Sequence, residues 1–205
     1  MNKQALFLSI FKKAEAKYGK VEKRLAAEGW KYDWQMLIAT IYSAQSRDET
    51  TIPVMESLFQ EFPTLEKLAA APVEKIELLT RRINYYRTKS EHAKATAQIL
   101  LKHNGNVPQT IEELTDFPGV GRKTANLVLS EIHAKDAICV DTHVHRLSNV
   151  LGFVKTKTPH ETELALQKIA PRNYWSRINR IFVLWGKDVR GRDKKQLLQA
   201  IENNH

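Results

Sequence analysis

The sequence predicts an all-α fold. Apolar residues recur at helical spacing in three stretches, and no stretch alternates apolar and polar residues as a half-buried strand does. Seven prolines divide the chain, and proline ends most helices because it lacks the N–H donor. We therefore predict about ten helices, by the usual length of a helix between two breakers. The prolines that should mark their boundaries are at positions 53, 63, 72, 108, 118, 159 and 171.

Each of the three apolar stripes predicts one buried helix face. Residues at i, i+3, i+4 and i+7 lie on the same side of an α-helix. The stripes are Trp34, Leu37, Ile38, Ile41 and Tyr42, then Thr162, Ala165, Leu166 and Ile169, and finally Trp175, Ile178, Phe182 and Trp185.

The composition indicates a soluble globular protein that binds a polyanion. The 205 residues are 42% hydrophobic, enough for one large or two small domains. The apolar runs are too short for a bilayer span or a signal peptide, so we expect a cytoplasmic protein with no membrane partner. Lys and Arg total 32 against 23 Asp and Glu, a formal net charge of +9. Nucleic acid is the partner that such an excess suits best.

The single cysteine, Cys139, limits redox and metal chemistry. One thiol excludes a disulfide within the chain and any zinc site or cluster built on several thiolates. We expect Cys139 to fill the core.

A glycine turn at Pro118-Gly119-Val120-Gly121 lies between two helical patterns. Both glycines allow a positive φ and the close approach of another backbone. The next helix should begin at about Gly121, and its N–H groups then form a phosphate-binding end. Lys123 projects from the first turn of this helix, where we expect partial burial. A phosphate loop of NTPases is excluded, because Arg122 separates Gly121 from Lys123.

Several motifs resemble a known family. Residues 114–126 resemble the helix-hairpin-helix of the DNA glycosylase superfamily named for that hairpin, its Gly/Pro-rich loop and an aspartate. Within it the sequence is most similar to the endonuclease III family. The supporting motifs are Val-Asp-Thr-His-Val at 140–144, Ser-Ala-Gln-x-x-Asp at 43–48, Tyr-x-x-Lys at 86–89, His-Asn-Gly-x-Val-Pro at 103–108 and Leu-Trp-Gly-Lys at 184–187.

The resemblance implies two helical domains with the active site in the cleft between them. A central six-helix domain would cover 28–134, with the hairpin at about 112–132. The terminal segments, 1–27 and 135–205, would form the second domain. Lys123 would come from one side of the cleft and Asp141 from the other.

The family also implies an activity, namely base excision repair of oxidised pyrimidines by a DNA glycosylase that is also an AP lyase. Lys123 would attack the sugar, expel the base and form a Schiff base, and β-elimination would then cut the strand. A simple phosphate contact is the alternative role for Lys123. Asp141 would stabilise the positive sugar or deprotonate Lys123. It also stands where the cap of the next helix belongs.

Further residues take DNA-binding roles by resemblance. Gln45 would fill the gap left by the flipped base, or alternatively cap a helix C-terminus. Tyr85 stands at a wedge position that is often leucine in the family, and a half-buried core aromatic is the other interpretation. Gly119, Gly121, Arg122 and Thr124 would hold the DNA backbone. His143 either contacts phosphate or packs locally, whereas His145 and Arg146 should be helix-surface groups.

Many endonuclease III relatives carry a four-cysteine iron–sulfur cluster near the C-terminus, where this chain has Arg190. We therefore expect no iron–sulfur cluster and no metal site built from side chains, although backbone carbonyls of the hairpin can hold a monovalent cation. The expected partner is double-stranded DNA with damaged bases or abasic sites, bound by a monomer associated with the nucleoid. Three alternatives stay open: an oxoguanine glycosylase, a mismatch or adenine glycosylase, and a non-catalytic hairpin DNA-binding protein.

Overall fold

The computed structural model describes residues 2–202 and confirms the all-α prediction. Within that range it contains twelve α-helices and a 3-10 turn at Arg172–Tyr174. The helices exceed the predicted number because two of them, of six and five residues, are too short to show a periodic stripe. Every helix in the described range is too short or too polar to serve as a membrane span.

The chain divides into two compact units at Arg24 and His133. The unit of residues 24–133 contains α2 (Asp33–Ser43), α3 (Asp48–Glu61), α4 (Leu65–Ala70), α5 (Val73–Thr80), α6 (Tyr86–Lys102), α7 (Ile111–Thr115) and α8 (Arg122–Glu131). The unit of the flanking segments contains α1 (Lys3–Tyr18), α9 (Thr142–Val150), α10 (Pro159–Ile169), α11 (Trp175–Asp188) and α12 (Lys194–Glu202). The central unit thus has seven α-helices where the resemblance implies six. The predicted domain limits at 28 and 134 stay predictions.

Helix α2 is the buried centre of the unit 24–133. Its predicted stripe is buried, with Trp34 8% exposed and Leu37 fully buried. Met36 and Ala39, which are outside the stripe, are buried as well. This happens because α3, α6 and α8 all contact α2, and a helix packed on several sides must be apolar around its circumference.

A buried hydroxyl network holds α6 against α2 and α5. The Tyr42 hydroxyl lies 3.0 Å from Ser90 Oγ, which lies 3.0 Å from Thr80 Oγ1. Burial raises the pKa of Tyr42 to about 12. Because buried hydroxyls need partners, this chain of contacts fixes how α6 sits on its neighbours.

Aromatic rings form the core of the flanking unit. Phe7 and Phe11 of α1 stack with ring centroids 5.2 Å apart. Phe7 packs edge-on against Phe153 at 5.4 Å, and Phe153 stacks with Phe182 of α11 at 6.3 Å. The α11 stripe is buried as predicted, with Trp185 fully buried. These rings join α1 to α11 through apolar contact, and the Tyr18 hydroxyl adds a hydrogen bond to Asp188 Oδ2 at 2.6 Å.

One proline departs from the predicted role. Pro53 lies inside α3 and does not mark a boundary. It sits in the second turn, where its missing N–H removes one hydrogen bond without ending the helix. The others lie outside helices or at their first residues, as Pro159 does at the start of α10.

Candidate active site

The predicted hairpin consists of α7, a turn at residues 116–121 and α8. Thr110 caps α7 by accepting a hydrogen bond from Glu113 N at 3.2 Å. The turn then reverses the chain through Gly119, whose φ of +77° is in the left-handed region. A Cβ at this position would lie 2.7 Å from Nδ1 of His92 and 3.2 Å from Cγ2 of Ile41. Position 119 therefore requires glycine for its backbone conformation and for its packing against α6 and α2.

Gly121 has a different role from Gly119. Its φ of −95° and ψ of 176° are extended, so it makes no use of the positive φ that glycine allows. It is the N-cap residue of α8, and caps adopt extended backbone. It offers no side-chain cap, and a Cβ built on it would meet nothing within 4 Å. The start of α8 therefore has open space in which a phosphate can approach the backbone.

The three residues after Gly121 differ in exposure. Arg122 and Lys123 are exposed, whereas Thr124 is buried, with 7% exposure. Because Lys123 is exposed, the predicted partial burial of its side chain is wrong. From Thr124 to Ser130 every residue of α8 is buried. The helix thus anchors an exposed amine to a rigid core.

Asp141 lies in the flanking unit, at the start of α9. Its side chain is the N-cap, and Oδ1 accepts a hydrogen bond from Val144 N at 2.8 Å. The predicted capping role is confirmed. The residues just before it are buried, and the Cys139 carbonyl accepts a hydrogen bond from Asn179 Nδ2 at 3.1 Å. The hydrogen bond from Val144 N and the buried segment before Asp141 together fix the direction of the carboxylate. Cys139 fills the core, as predicted.

His143 packs locally in this unit. A Cβ at Gly186 of α11 would lie 2.4 Å from Nδ1 of His143, so α9 and α11 approach closely only because position 186 is glycine. This contact accounts for the glycine of the Leu-Trp-Gly-Lys motif. The His143 side chain is half-buried.

Arg146 and His145 are not the surface groups that the sequence predicted. Arg146 donates hydrogen bonds to the carbonyls of Gly186 at 2.9 Å and Val189 at 3.1 Å, and also to that of Gly191. Burial lowers its pKa. His145 Nδ1 lies 2.7 Å from Thr162 Oγ1. The helical pattern missed both, because the partners are carbonyls and hydroxyls distant in sequence.

Gln45 and Tyr85 are both exposed and both have left-handed backbone, with φ of 53° and 58°. Gln45 is not the cap of α2, since Ala44 occupies that position. Tyr85 is 66% exposed, so the alternative of a half-buried core aromatic is wrong. Left-handed backbone does not require a long side chain at either position. Residues other than glycine adopt this backbone conformation only at a cost in free energy.

The residues do not fit a four-cysteine cluster. The sequence has one cysteine, and Cys139 is buried with 1% exposure. Among residues 2–202 there is also no group of three or more His, Cys, Asp or Glu side chains placed to hold a metal ion.

Known proteins are similar to this chain in sequence and in fold. Residues 38–172 match the model of the family described as HhH-GPD superfamily base excision DNA repair protein. Endonuclease III of Thermotoga maritima is 45% identical over 76% of this chain and 74% of its own length. Endonuclease III of Buchnera aphidicola subsp. Schizaphis graminum is 35% identical over 92% of this chain and 89% of its own.

The fold agrees with these matches. A solved structure of a trapped endonuclease III–DNA covalent intermediate superimposes with a TM-score of 0.84 at 32% identity, covering 93% of this chain and 91% of that one. The family match includes the hairpin, Lys123 and Asp141. The chain therefore belongs to the HhH-GPD superfamily of base excision DNA repair proteins.

Proposed function

We propose that this chain is a bifunctional DNA glycosylase and AP lyase that removes oxidised pyrimidines from double-stranded DNA and cuts abasic sites. The observation that carries the proposal is the exposed amine of Lys123, held one residue inside α8 directly after the open cap at Gly121. The endonuclease III relatives and the trapped covalent complex of one such protein support it.

The reaction begins with Lys123. The neutral Nζ attacks the anomeric carbon of the damaged nucleotide, the bond to the base breaks, and the base leaves with the electron pair. The sugar ring then opens: the C1′–O4′ bond breaks, O4′ takes up a proton, and C1′ and Nζ form the iminium of a Schiff base. At an abasic site the amine adds to the aldehyde instead, and loss of water gives the same Schiff base. The iminium acidifies the neighbouring sugar proton, and its removal expels the 3′ phosphate by β-elimination. A simple phosphate contact would not explain a trapped covalent intermediate such as the one in the endonuclease III structure.

Asp141 supports this chemistry through its charge. Its carboxylate stabilises the positive charge that develops on the sugar as the base departs, or accepts the proton of Lys123. The hydrogen bond from Val144 N holds one carboxylate oxygen and leaves the other for this role. Capping and catalysis are therefore compatible in one side chain.

The hairpin holds the DNA backbone near the lesion. The N–H groups at Gly119, Gly121, Arg122 and Thr124 suit phosphate oxygens, and such contacts position a duplex without reading its sequence. Gln45 and Tyr85 fill the space left by the extruded nucleotide. His143 contributes from α9 beside Asp141. The net charge of +9 supports DNA as the partner of a cytoplasmic, nucleoid-associated monomer.

We also propose that the enzyme works without an iron–sulfur cluster. Arg146 donates hydrogen bonds to the carbonyl oxygens of Gly186, Val189 and Gly191. These bonds hold the segment after α11 in place by protein contacts alone. A monovalent cation bound by the hairpin carbonyls is a further part of the proposal, and dependence of DNA affinity on potassium at constant ionic strength would test it.

Excision from a set of duplex oligonucleotides tests the proposed function. The lesions are thymine glycol, dihydrouracil, uracil, oxoguanine and an abasic site, each with and without borohydride. We expect cleavage at the two oxidised pyrimidines and the abasic site, with a covalent adduct when borohydride is present. Preference for oxoguanine would instead identify the oxoguanine enzyme. Absence of cleavage at every substrate would leave a mismatch or adenine glycosylase or a non-catalytic DNA-binding protein.

A further inference from the structure

Four exposed non-glycine residues of the described range have left-handed backbone, and two of them, Gln45 and Tyr85, lie in neighbouring segments of the same unit. Gln45 follows the end of α2, and Tyr85 immediately precedes α6. Left-handed backbone at a non-glycine residue persists only where its surroundings hold it. The contacts around these two residues therefore show what holds them.

Asn84 connects the two segments. Its Nδ2 donates a hydrogen bond to the Gln45 carbonyl oxygen at 2.8 Å. Asn84 directly precedes Tyr85, so one side-chain bond joins the backbones of the two left-handed residues. Asn84 is itself exposed, and its side chain has no part in the apolar core.

Lys89 in α6 makes a second connection through its buried side chain. It is 6% exposed, and its Nζ donates to the carbonyl oxygens of Ala44 at 2.6 Å and Tyr42 at 3.0 Å, and to Ser46 Oγ at 3.2 Å. Its backbone N donates to the Tyr85 carbonyl oxygen at 3.0 Å. Lys89 therefore holds residues on both sides of Gln45 and also the first turn of α6. Burial lowers the pKa of Lys89 to about 8.

We propose that Asn84 and Lys89 are positioning residues that join the segments of Gln45 and Tyr85 into one preformed insertion element. This proposal rests on the proposed function and deepens it, because the element acts only when a nucleotide leaves a stacked duplex. Extruding a base costs unstacking energy, and ordering two loops at the same moment would add to that cost. The bonds of Asn84 and Lys89 order the loops before DNA binds.

The test compares two DNA substrates in single-turnover experiments. One is a fully paired duplex with thymine glycol, and the other carries the same lesion in a short unpaired bubble, where no stacked base must be displaced. Asn84→Ala should lower the excision rate on the paired duplex about fivefold, as expected for loss of one ordinary hydrogen bond. On the bubble its rate should equal that of the wild-type protein.

Insertion can also be followed directly. A 2-aminopurine opposite the lesion brightens when it is unstacked, and this signal should be weaker with Asn84→Ala than with the wild-type protein. Asn106→Ala is the matched control, because Asn106 is an exposed asparagine beyond the other end of α6. It should leave both rates and the fluorescence unchanged.

Lys89→Met is the second variant. It should lower the excision rate on the paired duplex more than Asn84→Ala does and leave the rate on the bubble unchanged. Circular dichroism confirms that it folds. If it does not fold, Asn84→Ala alone decides. An equal loss on both substrates, or no loss on the paired duplex, would overturn the proposal. A wild-type protein that cleaves neither substrate would instead refute the proposed function, and a wild-type protein that cleaves only the bubble would refute the insertion element.

Discussion

The hairpin turn and the insertion element both need left-handed backbone, yet they meet that need with different residues. The turn uses Gly119, which adopts a φ of +77° without a steric penalty. The insertion element uses Gln45 and Tyr85, which adopt nearly the same φ at a cost of roughly 1–2 kcal/mol each. The hairpin has no side chain to present at its bend, whereas the insertion element does.

The difference shows how to interpret a strained residue. Where only the backbone must turn, glycine suffices. At Gly119 the neighbouring His92 leaves no space for a larger residue. Where a side chain must project, the chain tolerates the strain and adds hydrogen bonds to hold it, as Asn84 and Lys89 do. At Gln45 and Tyr85 the strain and the bonds that hold it together favour a role for the projecting side chain.

The largest expected effect concerns the group that the hairpin presents. Lys123→Gln should lower lyase activity on an abasic duplex by at least about a thousandfold, because the nucleophile is lost. Arg122→Gln removes a neighbouring exposed charge and should cost about tenfold or less, through weaker phosphate binding. Gel assays of strand cleavage measure both. Equal losses for the two variants would reduce Lys123 to a phosphate contact.

The second effect separates the two hairpin glycines. Gly119→Ala should lower the free energy of unfolding by roughly 2 kcal/mol, because it combines a positive φ with contacts that must shift. Gly121→Ala has extended backbone and open space, so its stability should change by less than about 0.5 kcal/mol. Urea unfolding of the two variants makes the comparison. A stable Gly119→Ala protein would contradict the assigned packing.

The third effect tests the strain in the insertion element. Gln45→Gly should leave the free energy of unfolding unchanged or raise it by up to about 1 kcal/mol, because glycine relieves the left-handed backbone. Glu91→Gly, at an exposed position inside α6, should lower it by roughly 0.5–1 kcal/mol. Similar losses at both sites would show that Gln45 is not strained.

The last effect concerns Lys89 and pH. Its pKa is about 8 in the folded protein and 10.5 when unperturbed, so the unfolded chain holds the proton more tightly. The stability that residue 89 contributes is therefore fully present above pH 10.5 and is lost as the pH falls through about 8. The free energy of unfolding of the wild-type protein, measured relative to Lys89→Met, should rise over this interval. A flat difference would contradict the lowered pKa.

Local patterns predicted much of the fold and the hairpin. The stripes of α2 and α11, the positive φ of Gly119 and the cap at Asp141 follow from spacing and residue type, because those interactions join residues close in sequence. The exceptions depend on tertiary contacts. Pro53 lies within a helix, and the motif that contains Lys89 does not reveal its bonds to residues more than forty positions away.

The same reason explains what the sequence missed at the site. Nothing in the sequence next to Asn84 or Arg146 indicates their partners. The fold brings to them the carbonyl oxygens of residues that are distant in sequence. The exposure of Lys123 depends on which neighbours cover the start of α8. Roles carried by one residue type at a fixed spacing are predictable, whereas roles defined by a distant acceptor are not.

Peptide mapping of the borohydride adduct tests the central chemistry most directly. The wild-type protein is reduced on an abasic duplex, digested, and analysed by mass spectrometry for the residue that carries the sugar remnant. The proposed mechanism predicts attachment at Nζ of Lys123. An adduct on any other amine, or a protein that cuts abasic DNA without forming an adduct, would contradict it.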